Sequence, residues 1–594
     1  MRLYRWSAPI VLGALLLQTV PSYAQSADTN SRLQALARDM TFGWAKSHPL
    51  VATGLGLTDE DGDLDRPSPA ARQADLARVR AWERALAAIP LKNATLVERD
   101  DALLLQAQLI GMERAYTVYR TDEKDYSAPA QAILNAIFTQ FLHLPVPGES
   151  GATAGDRTKA WDRIVARMQK SPAYIVAGQG LVTTPGRLFG TVGASELAGA
   201  PDFFNGALTG AAKGQLTGTK FAAFVSARNA LVATIGATKA YIGVHAAGWP
   251  ENYAMGGAAY DAMLRDEQLL PFTTADVVRM GEDELAHGWA EQIWLEHDAT
   301  VRGTTLGAAS GGGMAPSGPA IVPYYRARIA ELTDFVKTHD IITVPAWLGA
   351  IQVIETPKFL QPVQPGASMN SPRLFAKETT GFYFITPPKS LAAAAKRLDL
   401  YQDFDRDRIW STAAHEAMPG HYLQLSIARR HPDFVRRIQG SGVFAEGWAY
   451  YGEEMFVRLG LYGDDLDGRL DVAQWERIRG ARAIVDAKLA SGDWSYRRAA
   501  NFFAEETGST QDQADAAVAG IALGPGYVIS YTVGRFQLES LLTEYRRRMG
   551  KAASLHNFDD RLMCYGSTPF AVLAPEFLAD LSKPIAQVRA AARY

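Results

Sequence analysis

Apolar positions recur at three- and four-residue spacing along most of this chain. They do so over 30–46 and 70–90, where Leu76, Val79, Trp82 and Leu86 form one stripe. A run rich in Asp, Gly and Pro at 59–69 separates the two helices. The same period predicts helices near 97–120, 157–180, 219–246, 274–296 and 322–338. Two stretches break it. Residues 303–319 carry Gly311-Gly312-Gly313 among small residues and read as a surface loop, without the lysine or the strand-loop-helix setting of a phosphate loop. Residues 341–373 hold several prolines and resist helix. Residues 382–386, Phe-Tyr-Phe-Ile-Thr, read as a short strand stopped by Pro387-Pro388. Beyond 390 the helical period returns almost to the end. With no alternation of strand and helix and no repeat, the pattern predicts a mainly all-α protein with one small β element.

The first residues follow another pattern. Arg2 and Arg5 precede an apolar run over 8–17, too short to span a bilayer, and Pro21 then leads into Ser22-Tyr23-Ala24. This reads as a signal peptide cleaved after Ala24, which predicts a secreted, periplasmic protein. Cleavage moves the formal charge from −3 to −5. No cysteine follows the apolar run, which argues against a lipoprotein. Cys564 is the only cysteine, so no disulfide can form within the chain, and it is expected to be a small buried hydrophobe. A hydrophobic fraction of 47% supports one large core over 25–594, and the slightly acidic balance excludes nucleic acid as a partner. No membrane contact is expected after cleavage, and the composition leaves oligomeric state open.

The chemistry concentrates at 415–421, His-Glu-Ala-Met-Pro-Gly-His. Two histidines on one helical face stand four apart, whereas these stand six apart, about 240° around a straight helix. Pro419 cannot donate to the His415 carbonyl and Gly420 can adopt angles closed to other residues. A bulge at Pro-Gly is therefore expected to return His421 to the face of His415. Zinc needs a third protein ligand and an open position for water. Glu446, in the first turn of a helix whose stripe is Phe444, Trp448, Tyr451 and Met455, is the candidate. Glu453, two turns on, would orient a ligating histidine through its other nitrogen. Glu416 is then free to act as general base. One zinc per chain and a peptide or other small amide substrate are expected.

The segments 415–423, 446–451 and 525–531 resemble the signature of the bacterial DUF885 family, similar in pattern to helical zinc carboxypeptidases and oligopeptidases. Residues 48–53 with Gly56, 161–178, Val485-Asp486 and 558–569 fit the same family. The resemblance implies a single helical domain with a deep cleft and a zinc-dependent hydrolase, with Tyr531 as the donor to a substrate oxyanion. Tyr527 and Tyr383 are the lesser candidates, and Arg535, one turn after Tyr531, is a candidate for a substrate carboxylate. Two places depart from the family pattern: Ala490, where a histidine is usual, and 517–527, which lacks the usual Glu and Arg-Tyr. These departures bear on substrate more than on metal. A zinc amidase or esterase, or a binding protein of the same fold with weakened catalysis, stay open beside a peptidase. A serine hydrolase is excluded, since no Gly-x-Ser-x-Gly elbow follows a strand.

Overall fold

The computed structural model describes residues 22–306, 314–316, 318–361, 366–387 and 405–594. The proposed leader therefore lies almost wholly outside the described residues, as do the triple glycine at 311–313 and the return to helix over 390–404.

The architecture is helical throughout, around one small sheet. The first half contains α1 (Ser22–Arg38), α2 (Pro69–Ala87), α3 (Leu96–Arg114), α4 (Ala128–Leu142), α5 (Ala154–Gln179), α6 (Arg187–Leu197), α7 (Gly218–His245), α8 (Thr274–Arg302) and α9 (Ile321–Thr338). Starts are fixed by side chains that satisfy the free N–H groups of a first turn. Thr95, Thr153 and Thr273 each close a capping box with the acidic residue three places on. The expected stripe on α2 is buried at Val79, Trp82 and Leu86. By length and composition alone, Gly218–Gly248 is apolar enough to cross a membrane. In the fold its Phe224, Leu231 and Ile235 join a buried cluster with Trp161 and Ile164 of α5.

The sheet has three strands, β1 (Ile351–Glu355), β2 (Ala367–Asn370) and β3 (Gly381–Ile385), in the order β1-β3-β2. β3 is the expected strand, displaced by one residue. It runs parallel to β1, with Val353 opposite Tyr383, and antiparallel to β2, with Met369 opposite Tyr383. β3 is buried at every position, so the sheet separates two cores. Phe382 and Phe384 face the cluster of the first half, whereas Tyr383 and Ile385 face the core that carries the metal motif.

The second half supplies α10 (Arg406–Glu416), α11 (His421–Ala428), α12 (Gly442–Arg458), α13 (Leu466–Ser491), α14 (Tyr496–Thr507), α15 (Gln511–Leu523) and α16 (Ser530–Met549). Helix α13 packs along α8 and beside α10 and α12. α12 crosses α16 at two glycines: a Cβ on Gly534 would lie 2.1 Å from the Val443 carbonyl oxygen, and one on Gly447 would lie 2.5 Å from the Gly534 carbonyl carbon. The two backbones therefore touch one residue after Glu446 and three after Tyr531, which carries these side chains into one space. Cys564 is buried, as its isolation in the sequence suggested.

Candidate metal centre

The histidine motif is built by ending a helix and starting another. Asp405 caps α10 through the Arg408 N–H at 3.0 Å. The helix stops at Glu416, with the Ala417 and Met418 N–H groups both turned onto the Ala413 carbonyl. α11 then starts at His421 itself. The expected bulge is thus a complete break. At Gly420 φ −64° and ψ −137° lie outside the helical and extended regions, as expected of a glycine there, and a Cβ would also sit 1.7 Å from the His415 carbonyl oxygen. Glycine is thus required by close approach as well, because the second helix turns back over the end of the first. Trp448 pins the turn by donating its indole N–H to the Pro419 carbonyl at 2.9 Å. Tyr422 and Arg429 fasten α11 to the chain before β3, at the Thr379, Ala376 and Glu378 carbonyls.

This geometry brings His415 and His421 together. Their rings lie 4.7 Å apart at 87°. Nε2 of His415 is 3.1 Å, and Nε2 of His421 is 3.3 Å, from the same Glu446 oxygen. Ligands about 2.1 Å from a tetrahedral zinc ion stand about 3.4 Å apart, so the spacing fits. The three residues form the one His/Cys/Asp/Glu group among the described residues whose ligand atoms all lie within 4.8 Å of one another. Glu446 comes just after the first turn of α12, behind its Ser441 cap.

Behind the first histidine runs a chain of charge. Glu453 accepts from His415 Nδ1 at 2.6 Å, and Arg479 of α13 grips Glu453 with both terminal nitrogens, at 2.6 and 2.8 Å. Nδ1 is thereby committed to the carboxylate, leaving Nε2 to face Glu446. Burial alone would lower the His415 pKa, but the bonds to Glu446 and Glu453 outweigh it and raise it to about 9. Burial would likewise raise Glu446, yet the two histidines hold it well below the usual carboxylate range. Glu416 is half-buried, without a Lys or Arg partner among the described residues. Burial raises its pKa against the pull of His421 and His415, and the Met369 N–H of β2 hydrogen-bonds its carboxylate.

The tyrosines divide. Tyr531 lies over the cluster, its ring 5.8 Å from that of His415, with the Arg479 and Arg482 guanidinium groups at 5.3 and 5.7 Å. Tyr527, half exposed, donates to the second Glu446 oxygen at 2.7 Å. Tyr383 is fully buried in β3 against Tyr325, its ring 6.1 Å away, in the core that carries the histidine motif. Arg535 is a correction. It was expected to meet a substrate, but its guanidinium is buried and bound to Glu284 at 2.6 Å, Glu454 at 2.8 Å and Glu476 at 3.3 Å. Its charge is engaged by carboxylates of the protein itself.

Sequence reasoning missed Arg479 and Arg482, although with Asp486 they occupy i, i+3 and i+7 of α13, one helical face. Asp486 accepts the Gly526 N–H at 2.9 Å and the Tyr260 hydroxyl at 2.8 Å. It thereby fixes the Pro525-Gly526 turn from which Tyr527 and Tyr531 extend. The Ala490 side chain is buried, and its carbonyl accepts from Met255 and Gly256 at 3.0 and 2.9 Å.

A family model described as "Bacterial protein of unknown function (DUF885)" matches residues 49–576. The chain belongs to the DUF885 family. Among solved structures, this DUF885 chain is similar to a putative lipoprotein of unknown function from Shewanella oneidensis. That match has a TM-score of 0.69 and 21% identity, covering 94% of this chain and 100% of that one. It is also similar to a putative lipoprotein from Colwellia psychrerythraea, with a TM-score of 0.75 and 18% identity over the same shares. At such identities the likeness is one of fold. No curated protein matches in sequence.

Proposed function

We propose that this DUF885 protein is a zinc-dependent hydrolase of amide bonds, acting on peptides beyond the inner membrane. The observation that carries the reading is the convergence of His415, His421 and Glu446 beside a half-buried carboxylate, Glu416, that the ligand set does not use. A structural zinc site is closed by four protein ligands, whereas three leave a position open. Zinc bound there would polarise a substrate carbonyl and lower the pKa of a water molecule.

The chain's own groups then have separate tasks. Glu453 and Arg479 hold His415 in the orientation that presents Nε2. Glu416 accepts the proton of the attacking water and returns it to the leaving amine. Its raised pKa suits both halves of that exchange. Tyr531 donates its hydroxyl to the oxyanion, and burial, the main influence on it, keeps the hydroxyl protonated. Tyr527 covers the Glu446 carboxylate from the solvent side. The extracytoplasmic location is supported by the leader pattern at the N-terminus and by the description of both solved relatives as putative lipoproteins.

The test is Glu416→Gln, which keeps size and hydrogen-bonding shape while removing the base. Zinc content and melting temperature should match the parent, while turnover on the best substrate from a mixed peptide library falls by about 10²–10⁴-fold. Chelator-treated parent serves as the control. Unchanged turnover with zinc intact would remove Glu416 from the mechanism.

A further inference from the structure

A cavity of about 410 Å³ opens on the face of the sheet opposite the metal motif, between α4, α6 and β2. It shares one residue with the site. Met369 lines the cavity, and its N–H holds the Glu416 carboxylate. β2 is an edge strand, and neighbouring side chains of a strand point to opposite faces. One face of β2 thus serves the cavity, through Ser368 and Asn370, while its free edge meets the proposed general base.

The walls have a distinct chemistry. Phe138, Phe359 and Phe384 form an aromatic floor, the first two meeting edge to face with ring centres 5.2 Å apart. Asn135 and Asn370 add neutral polar groups, and no lysine or arginine lines the cavity among the described residues. Among the described residues, Glu196 of α6 brings the only charged side chain to it, and its carboxylate has no hydrogen-bond or ion-pair partner there. Partial burial, with a smaller push from Asp125, raises the Glu196 pKa to about 7. Aromatic faces attract cations, and a half-buried carboxylate without a partner is costly.

We infer that this cavity is a substrate subsite selecting a lysine or arginine side chain near the scissile bond, with Glu196 supplying the counter-charge. The aliphatic stem lies on Phe359 and Phe384, and the cationic head reaches Glu196. The inference rests on the hydrolase reading for its place beside the scissile bond, but binding alone can test it.

The probes are alanine pentapeptides carrying one lysine, or its neutral isostere norleucine, at each position in turn. Binding is measured on the zinc-loaded full chain carrying Glu416→Gln, and cleavage on the parent. At one position the lysine peptide should bind about 10- to 100-fold more tightly than its norleucine twin. Adding Glu196→Gln should erase that gap, and Glu196→Asp, which keeps the charge, should retain part of it. Melting temperatures establish that each variant is folded. Equal binding of lysine and norleucine at every position, no binding of any peptide, or a gap that survives Glu196→Gln would overturn the subsite. A charge-dependent binding gap without cleavage by the parent would keep the subsite and strike the hydrolase. Cleavage without a gap would do the reverse.

Discussion

Two buried clusters on the same helices use similar residues to different ends. Around Arg535 of α16, Glu284, Glu454 and Glu476 gather with Tyr450 and His287, and one guanidinium touches all three carboxylates. Around His415, the carboxylates are Glu416, Glu446 and Glu453, and a guanidinium reaches only Glu453. The first cluster supplies its own cation and is closed. The second lacks one at the position that His415, His421 and Glu446 surround, and there a divalent ion would complete it. Buried charge must be balanced. In the metal-free second cluster a proton on His415 supplies part of that balance, and on the proposed reading zinc takes its place.

The contrast can be broken at its strongest point first. Arg535→Ala removes the cation that Glu284, Glu454 and Glu476 share, leaving the buried Glu284 without one, and should cost about 3–5 kcal/mol in denaturant unfolding at neutral pH. Zinc bound per folded chain should stay the same. Loss of zinc affinity at unchanged stability would show that the two clusters are not separate in function.

A smaller effect is expected at Arg479, which belongs to the metal side but touches no ligand atom. Arg479→Gln frees Glu453 and loosens the His415 ring, and zinc affinity in a competition titration should fall by about 10–100-fold. An unchanged affinity would reduce the Glu453–Arg479 pair to the closed type.

The smallest effect is a matter of protons. With its pKa raised to about 9, His415 is protonated in the metal-free protein at neutral pH. A raised histidine pKa stabilises that form fully below about pH 6.5, and the contribution is lost as pH rises through 9. Zinc runs the other way, since it must displace the proton and binds more tightly as pH climbs towards 9. Calorimetry at pH 7 in buffers of different ionisation enthalpy should therefore show release of about one proton per zinc. No release would mean that His415 is already neutral and that the carboxylates do not hold it as described.

The same contrast explains what the sequence made legible. His415, Glu416 and His421 are neighbours in the chain, and Glu453 follows Glu446 by two helical turns, so local spacing was enough to find them. Arg535 was misread because its partners lie 81, 59 and 251 residues away. A single arginine one turn after a tyrosine looks identical whether it ends in solvent or in a buried network. Arg479 stayed hidden for the same reason. The helices that the period predicted in the first half formed with shifts at their ends, whereas α4 and α6 were not among them. β3 was legible because it is short, apolar and stopped by proline. β2, Ala-Ser-Met-Asn, is half-buried at every position and has no alternation to reveal it. Gly420 was singled out for its angles, and the close approach to the His415 carbonyl was missed, because a backbone contact across a helix break has no signature in one dimension.

The most direct measurement is elemental analysis of the purified full chain beside His415→Ala and His421→Ala. The account predicts about one zinc per chain in the parent and almost none in either variant, with all three folded by circular dichroism. A parent chain that carries no metal, and takes up none after dialysis against zinc, would contradict it.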